Sequence, residues 1–245
     1  MENAQIISLS RQMALRRQMD VVANNIANMN TAGFKAETIL FEDVIQPKAR
    51  DYDFRTPDQR PSFTQSCGTI HDLRAGTMVQ TGNPLDIALN GQGYLVVQTP
   101  AGERYTRDGS LSLDASGTLV NRDGYPVLAD GGPVTFAAAE TGIRITPDGS
   151  MSSSAGLKGK LRLVEFPNPQ ALLHEGRNLL SGGTPQAATA TRVVQGAIER
   201  SNVSGVEGMT EMIRVQRAYE STASMMDRQD EIRRSAIQKL ANVNA

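Results

Sequence analysis

With 245 residues the chain has room for one large domain or two ordinary ones. Its hydrophobic fraction is 39%, with 4% aromatics and no Trp, which limits it to a modest core packed largely by Met and small residues. A formal net charge of −1 argues against nucleic-acid binding, because phosphate neutralisation needs concentrated Lys and Arg.

The N-terminus, residues 1–7, lacks a basic region followed by an apolar stretch, so no cleaved secretory signal is expected. No window approaches the roughly 18 apolar residues of a membrane span. Taken alone, these features read as a soluble cytoplasmic protein. Residues 4–30 predict the first helix. Leu15, Met19, Val22, Ile26 and Met29 recur at alternating spacings of four and three, which places them on one face. At ~1.5 Å per residue such a helix runs on the order of 40 Å. Gly33 is the expected terminator, since glycine tolerates the left-handed conformation.

Residues 36–80, with Pro47, Pro57 and Pro61, read as an extended connector with room for a short hairpin. From 81 to 165 the signals are β. Tyr94–Gln98 and Leu119–Val120 are strand-like, and the pairs Asp108-Gly109, Ser116-Gly117, Asp123-Gly124 and Asp148-Gly149 punctuate them as turns. Residues 106–110 and 146–150 share a Thr-x-Asp-Gly-Ser string that suggests similar hairpins. Residues 167–192 form a loop-rich return. The last helix is predicted from near Ser204 or Val206 to Leu240, with Val206, Met209, Ile213, Tyr219, Met226 and Ile237 as its apolar positions. Gln216, Thr222, Ser224 and Gln229 dilute that stripe, which suits many partly polar contacts. The simplest partner for each terminal helix is the other, with further copies of the pair beyond. An ordinary helical hairpin capping a β-domain is the alternative.

The residues supply no catalytic constellation and no cofactor or metal motif. His71 and His174 are the only histidines; they lack a zinc-ligand spacing and read as surface or structural residues. Cys67 stands alone, so it offers no internal disulfide and reads as a buried or bystander thiol. Gly91-Gln-Gly93 lacks the third glycine and the strand-to-helix context of a dinucleotide site. Neither a nucleophile elbow nor a phosphate loop is present. An enzyme with an unrecognised β active site is the reading this inventory disfavours.

Residues 24–35, Asn24-Asn25-Ile26-Ala-Asn28-Met-Asn30-Thr-Ala-Gly33-Phe34-Lys35, resemble the N-terminal signature of the flagellar axial proteins, the rod and hook subunits. Residues 82–94, 103–109 and 123–128 resemble the block opening their β-domain, and residues 201–203 and 215–220 their C-terminal signature. Length and both terminal sequences resemble the proximal-rod branch, with the distal-rod branch the nearest rival. The resemblance implies an α+β fold: long N- and C-terminal helices paired as a coiled-coil-like inner domain, a central all-β domain and an extended linker. The corresponding bounds are 1–35 and 193–245 for the inner domain, 36–80 for the linker and 81–192 for the β-domain. It implies self-assembly with copies of itself and other rod subunits, export through the flagellar type III apparatus, and a periplasmic place in the rod, without membrane insertion. The expected assembly residues are Leu15, Met19, Val22, Asn24, Asn25, Ile26, Asn28, Asn30, Gly33 and Phe34, with Val206, Met209, Ile213, Gln216, Tyr219 and Met226. The four Asn residues fit either inter-subunit amide ties or a polar face and helix cap. Phe41 and Ile45 resemble an export-gate motif; a short strand packing two apolar residues fits them equally.

Overall fold

Two long helices flank a β-rich middle. A computed structural model describes the backbone of residues 2–45 and 62–243 and the side chains of residues 6–42 and 67–239. The described residues divide into two units: 1–26, 37–70 and 204–245 form the first, and 27–36 and 71–203 the second. The architecture is α+β, as the resemblance implies.

The first unit holds helix α1 (Glu2–Ala27), helix α2 (Gly205–Val243) and the two-stranded sheet of β1 (Glu37–Ile45) with β2 (Ser62–His71). The described residues of the stretch predicted as a connector are therefore mostly paired strand, while Pro47, Pro57 and Pro61 lie outside the described residues. Helix α2 starts on a capping sequence, Ser204-x-x-Glu207. The Glu207 N–H donates to Ser204 Oγ at 3.4 Å, and Glu207 lies in the first turn, where the helix dipole favours an acid. Helix α1 ends at Ala27, earlier than Gly33 led us to expect. A turn follows, with the Thr31 N–H donating to Asn28 O at 3.1 Å.

In the second unit, β5 (Tyr94–Thr99) and β6 (Gly102–Thr106) form a hairpin at the centre of a six-stranded antiparallel sheet. Leu180–Ser181 and Leu173–His174 extend it on the β6 side, and Leu163–Glu165 and Gln186–Ala187 on the β5 side. Successive side chains of a strand point to opposite faces, and β5 uses both. Leu95 and Val97 enter a core with Ile87, Leu119 and Met151, while Tyr94 and Val96 enter a second one with Phe166, Leu172 and Leu180.

The segment from 193, assigned to the C-terminal helical part, opens instead with strands Arg192–Gln195 and Ala197–Glu199. They pair antiparallel with β4 (Ile87–Asn90) and β3 (Met78–Gln80) respectively. Val193, Val194 and Ile198 favour extended backbone, and helix begins only past Ser204. Gly117, Gly124 and Gly149 take the positive φ of the predicted turns. Gly109 does not turn a hairpin: it lies flat against Ile87, whose N–H donates to Gly109 O at 2.9 Å. The two Thr-x-Asp-Gly-Ser strings consequently differ, with Asp108 buried and Asp148 an exposed turn carboxylate holding Thr146 and Ser150.

Candidate assembly site

Helices α1 and α2 pair antiparallel. Gln18 Nε2 donates to Glu211 Oε1 at 2.9 Å, and a Cβ on Gly208 would lie 3.0 Å from Ile26 Cγ1. Residue numbers therefore rise along α1 as they fall along α2. The buried positions are Ala14 and Val22 on α1 and Val215 and Thr222 on α2. Of the predicted assembly residues, Leu15, Met19, Ile26, Tyr219 and Met226 are half-buried, and Gln216 is exposed and donates to Glu220 one turn on. Val206, Met209 and Ile213 are exposed on the side of α2 away from Val215. Ile6, Leu9 and Met13 form an exposed apolar row on α1 that the sequence reading did not single out, although their spacings of three and four were there to find. Phe41 is exposed on β1, and the Ile45 side chain lies outside the described residues.

The asparagines divide by role. Asn25 makes a two-point amide contact with the start of β1: its Nδ2 donates to Glu37 O at 2.7 Å, and the Glu37 N–H donates to Asn25 Oδ1 at 2.9 Å. This ties helix to strand within the chain. Asn28 accepts from Thr31 Oγ1 at 3.1 Å in the turn after α1, while Asn24 and Asn30 are exposed.

Gly33 and Phe34 are not surface residues. They lie in the second unit, inside a clasp centred on Glu199, which is 1% exposed. Lys35 Nζ donates to Glu199 Oε1 at 2.6 Å, Arg107 Nε to Oε2 at 3.0 Å, and the Gly76 N–H to Oε1 at 2.9 Å. The Gly33 N–H donates to Glu199 O at 2.8 Å. Gly33 is required here twice over: its φ is +66°, and a Cβ would sit 2.4 Å from the Arg107 carbonyl carbon and oxygen. Asn202 completes the clasp, accepting the Ala36 N–H on Oδ1 at 2.7 Å and donating to Asp72 O at 2.8 Å.

The electrostatics follow from burial. Desolvation pushes the Glu199 carboxyl up, but Arg107, Lys35 and the Gly76 N–H together hold it below the ordinary value. Desolvation pulls the Lys35 ammonium below its usual range against the pull of Glu199. Arg107 also donates to Gly93 O at 2.8 Å and Leu89 O at 3.2 Å, and its guanidinium lies 5.7 Å from the centre of the Tyr94 ring. The partners come from separate stretches around Gly33–Ala36, Asp72–Gly76, Leu89–Gly93, Arg107 and Glu199–Asn202, so no local spacing marks the clasp.

His71 and His174, unrelated in sequence, meet with ring centroids 5.0 Å apart, and Phe34 packs on His174 at 5.9 Å. His71 Nε2 lies 3.1 Å from Leu172 O. Burial, then His71, lowers His174 to about 4. Lys35 and Arg107 line the same small cavity as the two imidazoles, and their charges oppose a bound cation there. Cys67 is exposed, and its thiol donates to Glu42 Oε2 at 3.3 Å.

Three family models match in chain order. Residues 7–35 match flagella basal body rod proteins, residues 88–153 the D1 domain of flagellar hook proteins FlgE/F/G, and residues 194–239 the C-terminal part of flagellar basal body rod FlgEFG proteins. The chain is similar to the flagellar basal-body rod protein FlgF of Caulobacter vibrioides, at 40% identity over 248 residues and 100% of both chains. It is 35% identical to FlgF of Mesorhizobium japonicum over 92% of each chain, and 33% identical to the rod protein FlgG of Bacillus subtilis over 96% of each. Full-length similarity, with both helices and the β-rich middle matched in order, shows that the chain belongs to the flagellar basal-body rod protein family, where it aligns with FlgF.

Proposed function

We propose that this chain is a structural, non-catalytic subunit of the proximal rod of the flagellar basal body. Its terminal helices assemble with copies of itself and with other rod subunits into a helical tube. The tube transmits motor torque and forms part of the export-channel wall.

The observation that carries this reading is the uncovered length of α2. It has 39 residues against 26 in α1, an excess of about 20 Å at helical rise. No described side chain after Thr222 is buried, and Met225, Ile232 and Ile237 are exposed. A long helix of this kind draws its stability from packing, and burial of its apolar row contributes about 25 cal/mol per Å² once neighbours are present. In this reading the helices α1 and α2 form the inner domain and the unit of residues 27–36 and 71–203 the outer β-domain. The assembly contacts come from the exposed members of the predicted set, chiefly Val206, Met209, Ile213 and Gln216, with Asn24 and Asn30.

The chain reaches the periplasmic rod through the flagellar type III apparatus, and Phe41 with Ile45 engages the export gate. Exposure of Phe41 on β1 supports that role. The similarity to FlgG over nearly the whole chain supports a second reading, a distal-rod subunit.

A cryo-EM map of basal bodies from cells making this chain tests both. A few copies between the innermost rod subunits and a longer distal stack, with termini inward, is the expected result. Many copies along the distal stack would replace it with the second reading, and absence from the rod would overturn both. Deleting residues 1–30 or 206–245 is expected to abolish incorporation while leaving the β-domain folded.

A further inference from the structure

Two side chains of the clasp reach for one oxygen. Lys35 Nζ donates to Arg74 O at 2.8 Å and Asn202 Nδ2 donates to the same atom at 3.1 Å, so the two nitrogens are at most the sum of these, 5.9 Å, apart. The other partners of the Asn202 amide fix its orientation: Oδ1 accepts the Ala36 N–H at 2.7 Å, and Nδ2 donates to Asp72 O at 2.8 Å. The Glu199 carboxylate meets the same Lys35 nitrogen at 2.6 Å. An amine, a carboxamide and a carboxylate thus share one node, in which Lys35 and Glu199 are buried.

Each group stands where acyl transfer between two side chains needs it. A lysine amine is a nucleophile once a proton is removed, and burial already pulls the Lys35 ammonium below its usual range. Glu199, pushed up by burial but held low by Arg107 and Lys35, is the base in contact with it. The Ala36 N–H points at the carbonyl oxygen on which negative charge develops during attack. Asp72 O and Arg74 O both hold the nitrogen that departs. Attack requires the amine about 3–3.5 Å from the carbonyl carbon, and the flexible four-carbon lysine stem supplies the travel.

We propose that Lys35 and Asn202 become joined by a self-formed isopeptide bond, with Glu199 as the proton carrier. The bond from Lys35 Nζ to Asn202 Cγ forms, and the Asn202 Cγ–Nδ2 bond breaks. Two of the three ammonium protons pass through Glu199 to Nδ2, which leaves as an ammonium ion; the third stays on the new amide. No oxidant, reductant or cofactor takes part, and the event happens once per chain, without turnover. The clasp of free Lys35 and Asn202 side chains is the state from which the reaction starts.

The link closes residues 35–202 into one covalent ring. Helix α1 precedes Lys35 in the chain and α2 follows Asn202, so tension between the two helices runs across the link and bypasses every residue between them. Closing a loop of this length also removes freedom from the unfolded chain. The inference goes beyond the rod-subunit reading and does not depend on it.

The test follows the intact mass of the full-length chain from the moment of refolding, with each sample denatured before weighing. The expected mass is lighter than the sequence by one ammonia, reached at a rate independent of protein concentration. Trypsin should then release a branched peptide joining residues 18–48 to residues 201–214, because an acylated Lys35 is not cut. Lys35→Arg is expected to stay at full mass. Asn202→Asp is expected to lose one water instead of one ammonia, a signature that a merely unfolded variant does not give. A folded wild-type chain that keeps its full mass would overturn the proposal. Loss of ammonia that maps to other residues, or that persists in Lys35→Arg, would overturn it too. Linkage at the wild-type rate in Glu199→Gln would remove Glu199 as the proton carrier. None of these outcomes bears on whether the chain is a rod subunit.

Discussion

Lys35 and Glu199 are 164 positions apart in the chain, and their side chains meet at 2.6 Å with both groups buried. Arg107 closes on the other carboxylate oxygen. One acid thus holds two cations away from water, and removing it strands both.

Glu199→Ala is therefore expected to cost about 3–5 kcal/mol, the range for breaking a buried pair by deleting one partner. Lys35→Met should cost less, because Glu199 keeps Arg107 and the Gly76 N–H. Urea unfolding of the three chains measures the order, and equal losses would refute the hub.

The pH dependence has two separate limbs. His174 titrates near 6.5 when unfolded and near 4 when folded, so the unfolded chain binds the extra proton between these values and stability falls as pH drops from 6.5 towards 4. Thermal unfolding of His174→Gln should flatten that limb. Glu199 is depressed when folded; its contribution is present above the unfolded value of 4.5 and is lost as pH falls through its folded value. Glu199→Gln should flatten this lower limb and leave the upper one.

Asn25→Ala removes both hydrogen bonds to Glu37 and leaves its N–H and C=O without the amide partner. A loss of about 1–3 kcal/mol is expected. Amide exchange at Glu37 should quicken, whereas Asn24→Ala, at an exposed position, should leave that amide unchanged.

Gly33→Ala meets the Arg107 backbone at 2.4 Å and is strained at φ +66°, whereas Gly82, at φ +74°, has no heavy atom within 4 Å of a would-be Cβ. Gly82→Ala should cost roughly 1 kcal/mol of backbone strain. Gly33→Ala should lower the melting temperature several-fold more.

The helices were legible because a 3.6-residue period is a local signal: Val22 and Tyr219 could be assigned to a face from their neighbours alone. The apolar run Tyr94–Val97 was legible as strand for the same reason. Which face of α2 its own chain covers was not legible. Val206, Met209 and Ile213 are as apolar as Val215, and only the partner helix decides between them. The strands Arg192–Gln195 and Ala197–Glu199 were absorbed into the helical segment because their partners lie about a hundred residues upstream. Gly33 was read correctly as a positive-φ residue, but what requires it is the Arg107 backbone, which sequence spacing cannot show.

The long reach between Lys35 and Glu199 also sets a schedule. A chain made from its N-terminus lacks the Glu199 carboxylate that Lys35 pairs with until residue 199 exists, and α1 lacks its partner helix until the one beginning at Gly205 follows. Closing so large a loop is slow relative to local structure. The clasp and the helix pair therefore act as a completion check: an unfinished chain lacks both, so the two registered helices form only once the C-terminal helix has been made.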